Sequence, residues 1–293
     1  MAFKISISDY NFDWYYKGVF QSPRSHPGTV SREDVVTFYG TLDVDAIEFT
    51  HVYWADCPAT HLKKLASGVE LPIACYVFGV DFARPPSDLP AEIDRARRLL
   101  ERSAEMGSPR VMITPVIVKE GVPLGEQRKW MIEGLRASAE HAAKLGVTVC
   151  IENLDWPPAR PLTGSAQQVR DICDDVQHPS FRLIYDCGAT PFVDDDALAA
   201  LDTMRPSVAH VHVKNCRLVQ PGEKMERYLD SRSGKHYTGT LLDGGIVPIA
   251  AVIEKLRSSK YSGYLSIEYQ GILDPRFACQ HNVSYLKKLV ACG

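Results

Sequence analysis

The chain has 293 residues, of which 45% are hydrophobic and 24% charged, and its formal net charge is -3. That balance suits a soluble globular protein with a sizeable core. It excludes the basic footprint of a nucleic-acid or acidic-membrane binder.

Strand-like and helix-like segments alternate from end to end. A strand is expected over Phe3–Ser8, then a long aromatic-bearing connection, Asp9–Val30, then a helix over Ser31–Tyr39. Next come strand Ala46–Phe49 with helix Ala59–Ala66, strand Ile73–Phe78 with helix Pro90–Met106, and strand Arg110–Ile113 with helix Glu126–Leu145. The second half reads Val147–Glu152 with Ser165–Asp175, Arg182–Asp186 with Asp195–Met204, Val208–Lys214 with Pro248–Ser258, and Tyr264–Tyr269 with Phe277–Leu289. Ser31 with Asp34 resembles a cap, and Gly146 closes the helix before the fifth strand.

Strands alternating with helices imply βαβ units and a parallel sheet. Eight pairs in this length fit a closed (β/α)8 TIM barrel, and no Gly-x-Gly-x-x-Gly follows the first strand to support a dinucleotide-binding sheet. No linker divides the chain, so residues 1–293 read as one domain. The long segments Asp9–Val30 and Asn215–Ile246 follow strands one and seven, which puts them over the C-terminal mouth as lid candidates.

No run approaches the roughly 20 apolar residues of a membrane helix. Met1–Ser8 lacks the basic and long apolar regions of a secretory leader, so a cytoplasmic protein is expected. The eight cysteines show no Cys-x-x-Cys spacing, and Cys75 and Cys150 lie in apolar runs. Free buried thiols are expected rather than disulfides.

Four successive strands end in a chemistry-bearing residue: Glu152, Asp186, His212 and Glu268. Strand alternation places all four on the barrel interior at the catalytic end. On strand seven Ala209, Val211 and Val213 face outward, leaving Val208, His210, His212 and Lys214 inside. Three ionised carboxylates converging without a cation raise one another's pKa, and a metal ion resolves that conflict. An oxygen-rich set with one imidazole suits one divalent ion, Mn²⁺ first, with Mg²⁺, Co²⁺ or Zn²⁺ as alternatives. His210, deeper in the strand, reads as a core histidine or a partner of a ligand.

The runs Cys-Ile-Glu-Asn (150–153), His-Pro-Ser-Phe-Arg-Leu-Ile-Tyr-Asp-Cys-Gly (178–188), His-Val-His-Val-Lys-Asn (210–215) and Gly-Tyr-Leu-Ser-Ile-Glu-Tyr (263–269) resemble the xylose isomerase-like TIM barrels. More narrowly they resemble the sugar phosphate isomerase/epimerase group. The resemblance implies that Glu152, Asp186, His212 and Glu268 hold the metal and that Glu152 and Glu268 also act as acid and base. It implies substrate contact by Lys214 and Arg217. Sugar 3-epimerases of the group usually carry a histidine shortly after the metal aspartate, whereas Asp186 is followed by Cys-Gly-Ala-Thr.

The expected chemistry is proton abstraction beside a metal-polarised carbonyl of a small sugar or polyol. Isomerisation or epimerisation is the leading outcome. A lyase on the same scaffold, either a keto-polyol dehydratase or an eliminating glycoside-cleaving enzyme, is the alternative, followed by a non-catalytic sugar-binding or partner subunit. Neither nucleic acid nor membrane is an expected partner, and a homo-oligomer is compatible. Glu48, His51, Asn153, Trp14 and Trp156 are further candidate substrate contacts, with Trp54 as another wall of the mouth. Arg227 reads as part of a solvated loop face.

Overall fold

The computed structural model of the protein describes residues 3–16, 30–154 and 162–291. Its strands, in chain order, are β1 (Lys4–Ser8), β2 (Ala46–Thr50), β3 (Ile73–Gly79), β4 (Arg110–Thr114), β5 (Thr148–Glu152), β6 (Phe181–Asp186), β7 (Val208–Val213), three short strands β8 (Asn215–Leu218), β9 (Leu229–Asp230) and β10 (His236–Thr240), and β11 (Tyr264–Ile267). The helices are α1 (Arg32–Tyr39), α2 (His51–Trp54), α3 (Ala59–Gly68), α4 (Leu89–Met106), α5 (Leu124–Leu145), α6 (Ala166–Val176), α7 (Ala197–Met204), α8 (Ile249–Ser258) and α9 (Pro275–Ala291). Eight strands close in the order β1-β11-β7-β6-β5-β4-β3-β2, and every neighbouring pair is parallel. This is the TIM barrel that the alternating pattern predicts.

Local chemistry sets the element ends. Ser31 accepts from Asp34 N at 3.1 Å and caps α1. Ser165 and Gln168 form a reciprocal capping box on α6, and Gly146 ends α5 at φ 68°, where a side chain is disfavoured. No helix among the described residues is long and apolar enough to cross a membrane. The seven described cysteines are unpaired, and five of them are buried.

Outward-facing strand residues and the inner helix faces make the main core. Inside the barrel, Cys75, Met112, Cys150 and Ile184 form a separate cluster, the inward layer expected from alternation. Alternation fails at one place. Leu183 pairs with Val208 and Ile184 with His210, so a bulge accommodates Ala209. Ala209 then packs on the inner cluster while Val208 packs on the outer core, reversing the expected orientation of this pair. Beyond the bulge, His210 and His212 keep the inward orientation.

The segment after β7 is an antiparallel sheet ordered β8-β10-β9. Its Leu229, with Phe192 after β6, borders the mouth of the barrel. Asn11 pins the seam between the first and last barrel strands, donating to Ile267 O at 3.2 Å and accepting from Tyr269 N at 2.5 Å.

Asp9, fully buried just past β1, accepts from Thr50 N at 3.0 Å and from Trp54 Nε1 at 2.8 Å. Trp54 is therefore an interior side chain rather than a wall of the mouth. Burial outweighs these bonds and lifts the Asp9 carboxyl to about 7. A carboxyl raised above its unfolded value binds its proton more tightly in the folded state. Its contribution is present at acid pH and declines as pH rises from about 4 to about 7. Urea titrations at pH 5 and pH 8 should therefore show a smaller loss of stability in Asp9→Asn than in the parent chain. Equal losses would remove Asp9 as the cause.

Candidate active site

Each candidate ligand reaches the mouth because it occupies the C-terminal end of a barrel strand. Glu152 and Asp186 are the last residues of β5 and β6, and His212 is the penultimate residue of β7. Glu268 lies one residue past β11, its N–H held by Val213 O at 3.2 Å.

The structure brings the four together through two cations. His212 Nδ1 contacts Glu152 Oε1 and lies 3.4 Å from Glu268 Oε1. The Lys214 ammonium stands 2.5 Å from Asp186 Oδ2 and 3.3 Å from Glu268 Oε2. The first of these is the only polar side-chain contact seen for the buried Asp186 Oδ2 among the described residues. Asp186 Oδ1 accepts from Gly188 N at 2.8 Å.

Beneath this group, Glu48 reaches across the barrel from β2 to β7. Its Oε1 lies 2.5 Å from His210 Nε2, and its Oε2 lies 3.3 Å from His212 Nε2. Ser6 Oγ on the intervening β1 donates to the same carboxylate at 3.3 Å. Glu48, His210 and His212 are fully buried, and one ligand atom of each falls within 4.8 Å of the others, which makes them a possible metal site.

The charges are mutually supporting. Burial alone would raise the Glu48 carboxyl, but the two imidazoles outweigh it and hold it well below the usual range. Burial pushes His210 down to about 4, against the pull of the Glu48 carboxylate. Burial disfavours a charged His212, but Glu268, Glu152 and Glu48 together hold its pKa well above normal. Lys214 is likewise disfavoured by burial, and its carboxylate partners, Asp186 first, more than compensate. Glu152 is pushed up, chiefly by burial.

The other described candidate contacts each have a partner within the protein. Glu48 is fully buried, with its carboxylate on His210 and His212. Asn153 is also buried; it donates to Asp186 O at 3.0 Å and accepts from Asp186 N at 2.8 Å, clamping β5 to β6. The Arg217 guanidinium is taken up by Glu223 at 2.6 and 3.0 Å. His51 Nδ1 meets Tyr76 OH at 2.6 Å. The Trp14 ring lies under the Arg227 guanidinium at 4.5 Å. Arg227 itself is a largely buried bidentate partner of Asp13, at 2.6 and 2.9 Å, and not part of a solvated face. Trp156 lies outside the described residues.

The mouth encloses a cavity of about 350 Å³, bordered by Glu152, Lys214 and Glu268 together with Tyr10 and Gln270. Gln270 Nε2 donates to Tyr10 OH at 2.7 Å. The sequence reading missed Gln270, although it follows Glu268 by two residues and so shares its inward side.

Gly188 approaches this machinery closely. A Cβ there would lie 2.7 Å from Lys214 Cβ and 2.8 Å from Lys214 O. Gly188→Ala should therefore cost about 1–3 kcal/mol by overpacking and push Lys214 off Asp186. Urea denaturation read beside turnover checks this, and an unchanged midpoint would show that the loop gives way freely.

A closed parallel barrel with carboxylates, imidazole and ammonium at its C-terminal mouth is the architecture of a barrel enzyme site. Residues 39–289 match the family model of the xylose isomerase-like TIM barrel, and the chain belongs to that family. An inosose dehydratase of Geobacillus thermodenitrificans is 24% identical over 230 residues, covering 74% of this chain and 74% of the relative. A 3-dehydroshikimate dehydratase of Pseudomonas putida is 23% identical over 236 residues, 80% of this chain; the match spans only 35% of that relative's length. Among solved structures, an L-ribulose 3-epimerase superposes with a TM-score of 0.76 at 17% identity, over 100% of this chain and 95% of that one. At that identity the superposition shows the fold.

Proposed function

We propose that the chain is a divalent-metal-dependent enzyme that removes a proton beside the carbonyl of a small sugar or polyol and returns it, as an isomerase or epimerase. The observation that carries this reading is the convergence of Glu152 and Glu268 on one imidazole nitrogen at the wall of a substrate-sized cavity. Both carboxylates border the cavity, so each has access to a bound carbon acid.

The residues present fit a divalent ion. Asp186 Oδ2 is buried with the Lys214 ammonium as its counter-charge, Lys214 also reaches Glu268, and His212 Nδ1 lies against Glu152 and Glu268. Glu152, Asp186, His212 and Glu268 would hold it. An ion so bound supplies Lewis-acid polarisation of the substrate carbonyl. In this reading Glu48 is the partner that fixes His212, since an imidazole ligand commonly engages a carboxylate through its other ring nitrogen. Lys214 supplies a positive charge beside the oxygen on which negative charge develops. One glutamate takes the proton as the C–H electron pair moves into the enediolate. The other delivers a proton to the neighbouring carbon, or to the opposite face of the same carbon.

A second reading, loss of a β-hydroxyl as water, is favoured by the dehydratase names of the two sequence relatives. Incubating keto-sugars and cyclic keto-polyols with the Mn²⁺-loaded protein in D₂O separates the two. Deuterium at carbon without loss of water supports isomerase or epimerase chemistry, and loss of water supports the lyase. Absence of both across the substrate panel would sink the enolising reading.

A further inference from the structure

The charged lining of the cavity is confined to one sector of the barrel. Every charged group on it comes from the arc running from β5 through β7 to β11: Glu152, Lys214 and Glu268, with Tyr10 and Gln270 beside them. The opposite arc, from β2 through β3 and β4 to the residues just past β5, contributes the side chains of Val52, Val77, Met112 and Leu154; Phe78, next to Val77, borders it but packs in the outer core. Thr50 and Thr114 are the hydroxyl-bearing side chains on that arc, and each also carries a methyl. Gly79 leaves the wall without a side chain at the end of β3. Val52, at the rim, is 51% exposed, an apolar side chain standing in water beside the cavity.

A fully hydroxylated ligand fits only the first arc well. A buried hydroxyl without a partner costs about 1–3 kcal/mol, and the second arc has few partners to give. An apolar group placed there gains instead from the water it displaces.

We propose that the natural ligand is amphiphilic, with a polyhydroxylated carbonyl unit at the Glu152–Lys214–Glu268 pole joined to a flat apolar group, such as an aryl ring, seated on the β2–β4 wall. The polar half of this assignment rests on the function proposed above. The apolar half rests on the second arc alone. Phe192 after β6 and Leu229 after β7 add apolar lining above the charged arc, and both pack in the cluster with Tyr237 and Cys216 that anchors the β8–β10 sheet.

The test is calorimetric binding of two probes to the full, Mn²⁺-loaded chain: phenyl β-D-glucopyranoside and methyl β-D-glucopyranoside. The phenyl compound should bind at least about tenfold more tightly. The double variant Val52→Ser, Leu154→Ser should lower phenyl affinity at least about fivefold and leave methyl affinity unchanged. Circular dichroism confirms that the variant is folded, and Val52→Ser alone, at an exposed site, serves if the double variant is not. Equal binding of the two probes, binding of neither, or a phenyl preference untouched by the substitutions overturns the proposal. Deuterium exchange into small ketoses is read separately. Exchange without aryl preference overturns this proposal only, and aryl preference with neither exchange nor loss of water overturns the enolising reading and leaves the apolar half standing.

Discussion

Glu268→Gln should lower turnover by about 10²- to 10⁴-fold, the usual contribution of a positioned acid or base. The substitution keeps the size of the side chain and removes its ability to take a proton. It also withdraws one of the three carboxylates facing His212, along with the 3.3 Å partner of Lys214. The barrel should stay folded, because Glu268 lies one residue beyond β11 and its N–H remains bonded to Val213 O. The measurement is kcat with Mn²⁺ in excess, beside a thermal melt. Glu152→Gln should behave alike. Retained turnover in both variants would show that neither glutamate moves the proton, whereas metal-dependent turnover lost in both would rule out a non-catalytic sugar-binding subunit.

The second large effect is on stability. Lys214→Met keeps the aliphatic stem and removes the ammonium that neutralises Asp186 and Glu268. Deleting one member of a buried ion pair leaves an uncompensated charge and costs about 3–5 kcal/mol. Lys214 is 5% exposed and Asp186 is fully buried, so solvent offers little relief. The metal-free variant should therefore unfold at markedly lower urea than the parent. Added Mn²⁺ should restore more stability to the variant than to the parent, since the ion takes over as counter-charge. If the variant matched the parent without metal, Lys214 would not be the counter-ion of this cluster. If Mn²⁺ rescued neither protein, the four-residue ligand set would be wrong.

The barrel was legible because parallel strands covered on both faces read as short apolar runs between amphipathic helices. The interior direction of Glu152, Asp186 and His212 was legible because strand side chains alternate with period two. That rule broke at Ala209, where a bulge adds a residue that no local pattern marks. It was also silent on contacts between strands that are not neighbours. Glu48 meets His210 and His212 across two intervening strands, β1 and β11, a contact that exists only once the barrel has closed. Arg227 looked like a loop cation because its partner Asp13 lies 214 residues away in sequence. The β8–β10 sheet was hidden for a different reason. Its strands Asn-Cys-Arg-Leu and His-Tyr-Thr-Gly-Thr are short and mixed in polarity, with no apolar run to announce them.

The Asn11 seam bears on how the chain is made. During synthesis β1 emerges first and its partner β11 among the last elements, so one side of β1 stays an unpaired edge for most of translation. Open edges invite pairing with other chains. Asn11 offers both an acceptor and a donor to the backbone of Ile267 and Tyr269, so these two bonds form only once β11 has docked beside β1. Its place in the first tenth of the sequence makes it a late-acting fastener: ribosome-bound fragments ending before Tyr264 should be the form of this protein most prone to aggregate.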